Sequence, residues 1–303
     1  MSAASRAGKR AYPLVVGVVG AGRVGAVLGA ALAAGGHHVV AAAAVSAASR
    51  ERARRLLPRA AILPADEVAR AATDLLLLAV PDDHLGAVVS GLAATGALRA
   101  GTVVAHTSGA HGLAVLGDRD GLALHPAMTF TGADADLERL AGIAWGVTAR
   151  DRAFAARLVA DLGGIPEWVA EDARPLYHAA LAHGANHLVT LVNEAADLLR
   201  AAGVEHPDAV LSPLLHAALD NALRLGDAAL TGPVSRGDAG TVRKHLDRIA
   251  PESVPGYLAL ARRTADRAIA AGRLRPQDAA PLLDVLARAG ASATAPATVG
   301  SPS

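Results

Sequence analysis

The 303-residue chain contains no cysteine, 2% aromatic residues and, among 29 Lys+Arg, only two lysines, Lys9 and Lys244. Without cysteine there are no disulfide frameworks, thiol nucleophiles or thiolate zinc sites. Two lysines restrict Schiff-base and lysine-acid chemistry to two positions, one of them in a polar N-terminal stretch. Few aromatic rings and a net charge of +1 argue against nucleic acid, which asks for a basic face and stacking platforms. Apolar runs are short: Val39–Val45 is typical and far below the roughly 18 residues of a membrane span, so no membrane partner is expected. The opening MSAASRAGKRAYP carries serines and cations but no apolar h-region, as a secretory signal would require. It reads as a disordered tail over 1–12, on a cytoplasmic protein, although a transit peptide shares its Arg/Ser bias.

What is present is alternation. Leu14–Val19 is a continuous β-branched run, followed by Gly20-Ala21-Gly22-Arg23-Val24-Gly25 and an Ala/Leu helix stopped by Gly35-Gly36. Further buried strands are expected at His38–Val45, Asp74–Val80, Thr102–His106, Leu122–His125, Gly142–Thr148 and Ile165–Val169. Helices are expected from Ser49 and across Arg152–Leu162. Such alternation predicts a doubly wound parallel sheet. Beyond residue 170 only helical periodicity remains, over 174–202, 206–225, 239–249, 254–271 and 276–289. The expected organisation is α/β: a Rossmann-type dinucleotide-binding domain at 13–170, an all-α domain for substrate and dimerisation at 171–289, and a low-complexity tail at 290–303.

A G-x-G-x-x-G motif alone is weak, but here it sits directly between strand and helix. Gly20 permits the turn, Gly22 lets the backbone approach a pyrophosphate, and Gly25 lets helix and strand pack closely. About 20 residues on, where NAD enzymes place an acid, the chain reads Ala44-Val45-Ser46-Ala47-Ala48-Ser49-Arg50. Ser46, Ser49 and Arg50 suit a 2′-phosphate, so NADP is the expected cofactor. The competing account has Ser49 capping the next helix and Arg50 solvated. Val80 and Pro81 end a strand where backbone can line the cofactor. Thr107 and Ser108 follow the His106 strand, and His125-Pro126 ends the next, all at the edge where such sheets bind ligands; ordinary loop turns are the equal alternative.

Four segments, AVPD (79–82), HTSGA (106–110), HPAMTF (125–130) and LTGPVSRGD (230–238), together with YHAALAHGAN (177–186), resemble a family of Rossmann-like proteins whose C-terminal half is a domain of unknown function. That family lies within the 6-phosphogluconate-dehydrogenase-like superfamily, and the resemblance spans residues 14–288. It implies an NADP(H) oxidoreductase that dimerises through its C-terminal helices. Ketopantoate reductases in that superfamily carry a lysine on the first long helix of the second domain, with asparagines four and eight residues later. Alignment puts His178 at the lysine, Ala182 at the first asparagine and Asn186 at the second. Their His-Asn-Gly loop resembles His106-Thr107-Ser108, and their substrate-binding glutamate falls near His245.

At 100° per residue His178, Asn186 and Asn193 share a helical face, with His183 and His187 opposite. That i,i+4 pair lacks the Glu of a zincin helix, and no metal site is expected. A histidine, with an ordinary pKa of about 6.5, can protonate the alkoxide left by hydride transfer. His178 is the candidate donor, and Asn186, Ser108 and Thr107 are candidates to orient the substrate; a buried histidine bonded to backbone is the competing account. Arg236 could clamp a carboxylate, while Asp238 is placed to cap the following helix. The resulting expectation is reduction of a small carbonyl acid, ketopantoate first. Alternatives are a cyclic imine reductase of the pyrroline-5-carboxylate type, a deazaflavin–NADP oxidoreductase and a non-catalytic NADP-binding redox sensor.

Overall fold

A computed structural model describes residues 12–294. The chain divides into two compact units, Met1–Gly184 and Ala185–Ser303. The first unit runs β1 (Val15–Val19), α1 (Arg23–Ala34), β2 (His38–Ala43), α2 (Ala47–Leu56), β3 (Ala61–Ile62), α3 (Ala65–Ala71), β4 (Leu75–Leu78), α4 (Asp82–Ala94), β5 (Val103–His106), β6 (Gly121–Pro126), α5 (Ala135–Arg139), β7 (Ala144–Ala149), α6 (Arg152–Asp161), β8 (Ile165–Trp168) and α7 (Arg174–Leu181). Its eight strands are ordered β3-β2-β1-β4-β5-β6-β7-β8. The order reverses between β1 and β4, and open α/β sheets bind ligands outside the carboxyl ends of their strands at such a reversal.

Each central strand is apolar on both faces because helices cover both. All four residues of β4 are buried leucines, each contributing about 1.5–3 kcal/mol by leaving water. On one face Val27 and Leu28 of α1 and Leu158 of α6 pack with Trp145; on the other Val68 of α3 and Leu85 and Val89 of α4 pack with Leu76 and Leu78.

Two features depart from the expected sheet. β3 is only two residues long, too short to leave a periodic signal. β7 pairs with β6 antiparallel, His125 opposite Gly146, where a parallel sheet was expected throughout. A parallel return is usually made through a full crossover helix. The segment between β6 and β7 instead holds the five-residue α5, and β7 starts from the end where β6 stops. Asp136 pins that segment: it is fully buried and accepts from the amides of Thr131 (2.8 Å) and Gly132 (2.7 Å) and the Thr131 hydroxyl (3.0 Å).

After α7 comes a π-helical turn, Ala182–Asn186, and then α8 (His187–Ala201), α9 (Pro207–Leu225), α10 (Gly232–Ser235), α11 (Ala239–Leu246), α12 (Val254–Ala270) and α13 (Pro276–Thr294). The helix expected over 174–202 is therefore present but interrupted at 182–186 by a π turn, which carries more residues per turn than 3.6. In the second unit Val242, Leu258, Ala265, Leu282 and Leu286 of α11–α13 form the core. α8 buries no residue, and on α9 Leu214, Leu219 and Leu223 are exposed. The division at 184/185 differs from limits of 13–170 and 171–289 by α7 and the start of the π turn. The tails expected at 1–12 and 290–303 lie outside the described residues, except Tyr12 and residues 290–294, which complete α13. Among the described residues no helix is long and apolar enough to cross a membrane.

Candidate functional site

The glycine loop sits at the reversal of strand order. Gly20 has φ +90°, and a Cβ on it would lie 2.6 Å from the Ala79 carbonyl oxygen. Only glycine therefore lets the loops after β1 and β4 abut. A Cβ on Gly25 would strike the Gly20 carbonyl and the Ala79 methyl, whereas one on Gly22 would meet only the Gly20 oxygen, 3.9 Å away. The amides of Gly20 and Ala21 both donate to the Ala43 carbonyl (3.1 and 2.8 Å) and that of Gly22 to Gly20 (2.7 Å), which fixes the loop. Gly22 opens α1 with no side-chain cap and no acid in the first turn. The amides of Arg23, Val24 and Gly25 thus head an uncapped helix, with the positive end of its dipole facing outward. Open space at Gly22 and an uncapped helix start fit a pyrophosphate.

At the end of β2 the helix starts at Ala47, two residues earlier than expected, and Ser46 rather than Ser49 is its cap. The Ser46 hydroxyl accepts from the Ser49 amide (3.1 Å) and the two hydroxyls lie 2.9 Å apart. Arg50 is exposed and reaches back to the Val45 carbonyl (2.5 Å). Residues 44–50 at this strand end hold no carboxylate, and two hydroxyls and a guanidinium are gathered there. Val80 and Pro81 follow β4, Pro81 preceding α4.

The ends of β5 and β6 build a second cluster. His106 is fully buried; its Nδ1 accepts from the Ser108 amide (3.2 Å), so Nε2–H donates to the Gly112 carbonyl (2.8 Å). Burial, assisted by Arg174, holds its pKa down at about 4 against the opposing Gly112 bond. The Ser108 hydroxyl accepts from the His111 amide (3.0 Å) and meets His111 Nδ1 (3.0 Å), so it is engaged within its own loop. Thr107 donates its amide to Leu78 (3.1 Å), tying β5 to β4.

Arg174 is the hub beneath. It is fully buried and donates to the Thr148 hydroxyl (2.8 Å) and to the carbonyls of Ser108 (3.2 Å), Ala123 (2.7 Å) and Gly146 (3.1 Å). Its donors are occupied by the fold, so it holds the β5–β7 loops in register and leaves no free fork for a substrate acid. Glu171 accepts from the amides of Leu113 (2.7 Å) and Ala114 (2.9 Å).

Above this hub lie three groups that sequence reasoning did not bring together. His125 Nδ1 meets the Tyr177 hydroxyl at 3.0 Å, and the rings of His125 and His178 stand edge to face with centroids 6.1 Å apart. A Cβ on Gly109 would lie 2.6 Å from His178 and 3.0 Å from His125, so the glycine of HTSGA makes room for both imidazoles. Burial first, then the charges of His178 and Arg174, lower the His125 pKa to about 4, with Asp82 opposing. Burial raises the pKa of Tyr177.

Asn186 and Arg236 belong to the second unit. Asn186 ends the π turn, so the 100° step that gave it a face in common with His178 does not run unbroken between them. Arg236 is exposed after α10, where Ser235 is tied to the Gly232 carbonyl (3.1 Å) and Asp238 caps α11 through the Thr241 amide (3.0 Å). The second unit also holds a cavity of about 350 Å³ whose mainly apolar walls include Leu198 and Leu260, with Glu194 and a His245–Tyr257 hydrogen bond of 2.9 Å. Among the described residues no cluster of three or more His, Asp or Glu could hold a metal ion.

Residues 1–126 match the profile of a Rossmann-like domain, and residues 143–264 match a domain of unknown function, DUF2520. Among curated proteins none matches the chain in sequence. Solved structures do match in fold. A Bacteroides fragilis protein provisionally named an NADP oxidoreductase is 21% identical with a TM-score of 0.72, covering 84% of this chain and 98% of its own. A Thermotoga maritima protein is 19% identical with a TM-score of 0.65, covering 84% and 99%. Pyrroline carboxylate reductase from Plasmodium falciparum, with NADP bound, is 10% identical with a TM-score of 0.56, covering 89% and 98%. At these identities the likeness is one of fold.

Proposed function

We propose that this protein, a Rossmann-like chain with a DUF2520 C-terminal domain, is an NADP(H)-dependent oxidoreductase that reduces a small carbonyl or imine substrate. The observation that carries the reading is the glycine loop at the strand-order reversal, with an uncapped helix start and a β2 end that offers Ser46, Ser49 and Arg50 but no carboxylate. The free amides of Arg23, Val24 and Gly25, framed by the Gly20–Gly22 turn, would hold the pyrophosphate, the two serines and Arg50 the 2′-phosphate, and Val80 and Pro81 would flank the cofactor. When bound, NADPH supplies a hydride. The chain's own part is to seat the substrate beside the β5 and β6 ends and to deliver a proton from the His178 imidazole to the substrate oxygen or nitrogen that gains charge.

Ketopantoate is the leading substrate on the resemblance of the His178 helix to that of ketopantoate reductases. A cyclic imine is the second reading, supported by the pyrroline carboxylate reductase neighbour and by a reductive aminase from Aspergillus terreus of the same fold. The exposed leucines of α9 and the absence of buried residues on α8 support a homodimer formed through those helices.

The test is NADPH and NADH binding and oxidation by purified protein against a panel of 2-oxo acids and cyclic imines. NADPH is expected to bind at least tenfold more tightly than NADH, and Arg50→Ala to remove most of that preference while leaving NADH affinity within about twofold, since a phosphate–Arg contact is worth roughly 1.5–3 kcal/mol. Equal affinities in the wild type refute the cofactor assignment. Tight NADPH binding without turnover of any substrate turns the reading toward a redox sensor.

A further inference from the structure

We infer that His125, held by Tyr177 in its Nε2–H form, is a catalytic residue that donates a hydrogen bond to the substrate atom on which negative charge develops. The inference rests on the reductase reading above and adds a second histidine to it, with a different task from His178.

The argument starts at the Nδ1 edge. A tyrosine hydroxyl has one proton and two lone pairs. The Tyr177 oxygen lies so close to the Gly146 backbone that a Cβ there would strike it, and among the described residues His125 Nδ1 is its side-chain hydrogen-bond partner. Its own proton is then available for the nearby His125 Nδ1, 3.0 Å away. Burial, which raises the Tyr177 pKa, keeps that proton on the oxygen. An imidazole whose Nδ1 accepts carries its proton on Nε2. Nε2 lies on the Gly109 side, 3.1 Å from where a Cβ on that residue would stand. Among the described residues it has no protein hydrogen-bond partner, and it is not sealed away from solvent. The free N–H therefore points past a residue that has no side chain, at the carboxyl edge of the sheet.

The two histidines divide the work by charge state. His125 is kept neutral by burial and by the charges of His178 and Arg174, with its pKa at about 4. A neutral imidazole is far too weak an acid to give up its remaining proton, so it serves as a fixed dipole, in the manner of an oxyanion-hole donor. The proton that completes reduction comes from His178, whose ring lies edge to face with that of His125. Asp82 opposes the lowering at His125. Tyr177 is a positioning residue: it fixes the tautomer and does not touch substrate.

Two measurements test the assignment. The first needs no substrate: ¹⁵N shifts of the labelled imidazoles, with the His125 signals identified by their loss in His125→Gln. Wild type is expected to show a neutral Nε2–H ring at pH 7, and Tyr177→Phe a mixture of both tautomers. A charged ring or an Nδ1–H ring in the wild type overturns the proposal. The second is kcat/KM with the best substrate of the panel. His125→Leu is expected to lose about 100-fold or more, as for a lost oxyanion donor. His125→Gln, which keeps an N–H near Nε2, is expected to retain at least a tenth of wild-type kcat/KM, and NADPH affinity to stay within threefold in both variants. Turnover by His125→Leu within threefold of wild type removes His125 from catalysis and leaves the reductase reading standing. A wild-type protein that binds NADPH and reduces nothing removes both.

Discussion

Acid should unfold the first unit through His106, and the size of the effect follows from its surroundings. The ring is fully buried, with Nδ1 accepting from the Ser108 amide and Nε2 donating to the Gly112 carbonyl. Protonating Nδ1 would end one of those bonds and place a cation near the Arg174 guanidinium. Its pKa is accordingly lowered from 6.5 to about 4. Between those values the unfolded chain binds the proton and the folded one does not, so stability falls as pH falls through 6.5 and continues falling until about pH 4. At 1.36 kcal/mol per pKa unit, a drop from pH 7.5 to 4.5 costs about 2.5 kcal/mol from this residue alone. Urea unfolding followed by tryptophan fluorescence isolates the effect, because Trp145 and Trp168, the chain's two tryptophans, both lie in the first unit. The comparison is with His106→Gln, which cannot titrate. That variant is expected to be less stable at pH 7.5, through poorer packing, yet to lose about 2.5 kcal/mol less than wild type on acidification. Parallel loss in the two proteins, within about 0.5 kcal/mol, would refute the reasoning.

Two further outcomes follow from the fold. Gly25→Ala forces a methyl against the Gly20 carbonyl and Ala79; NADPH affinity by fluorescence titration is expected to fall at least tenfold, and an unchanged affinity would contradict the cradle. Asp136→Ala strands the amides of Thr131 and Gly132, which should cost about 3 kcal/mol in urea unfolding; a loss below about 1 kcal/mol would mean that water replaces the carboxylate.

The parts of the fold legible in the sequence are those whose signal is local. The β1–Gly20–α1 passage could be read because strand, turn and helix adjoin, and each glycine's task is set by neighbours a few residues away. β4 was legible for the same reason: a run of leucines is buried whichever strands flank it. The direction of β7 was not, since Ala144–Ala149 has the same composition in either orientation and the decision rests on the short α5. The start of α2 was misplaced by two residues because Ser46 and Ser49 are equally good caps, and only the backbone decides which one serves.

The chemistry at the β5 and β6 ends shows the harder limit. His106 and His125 were both visible as histidines ending strands, yet they have opposite fates. The first is spent on Ser108 and Gly112 inside its own loop. The second is turned outward by Tyr177, 52 residues further on. Nothing local distinguishes them; what does is the register in which α7 lies on the sheet, and Arg174 sets that register by bonding carbonyls from three separate segments, at Ser108, Ala123 and Gly146. Arg174 buries a permanent charge that a lysine would shed, and its hydrogen bonds commit that cation to architecture.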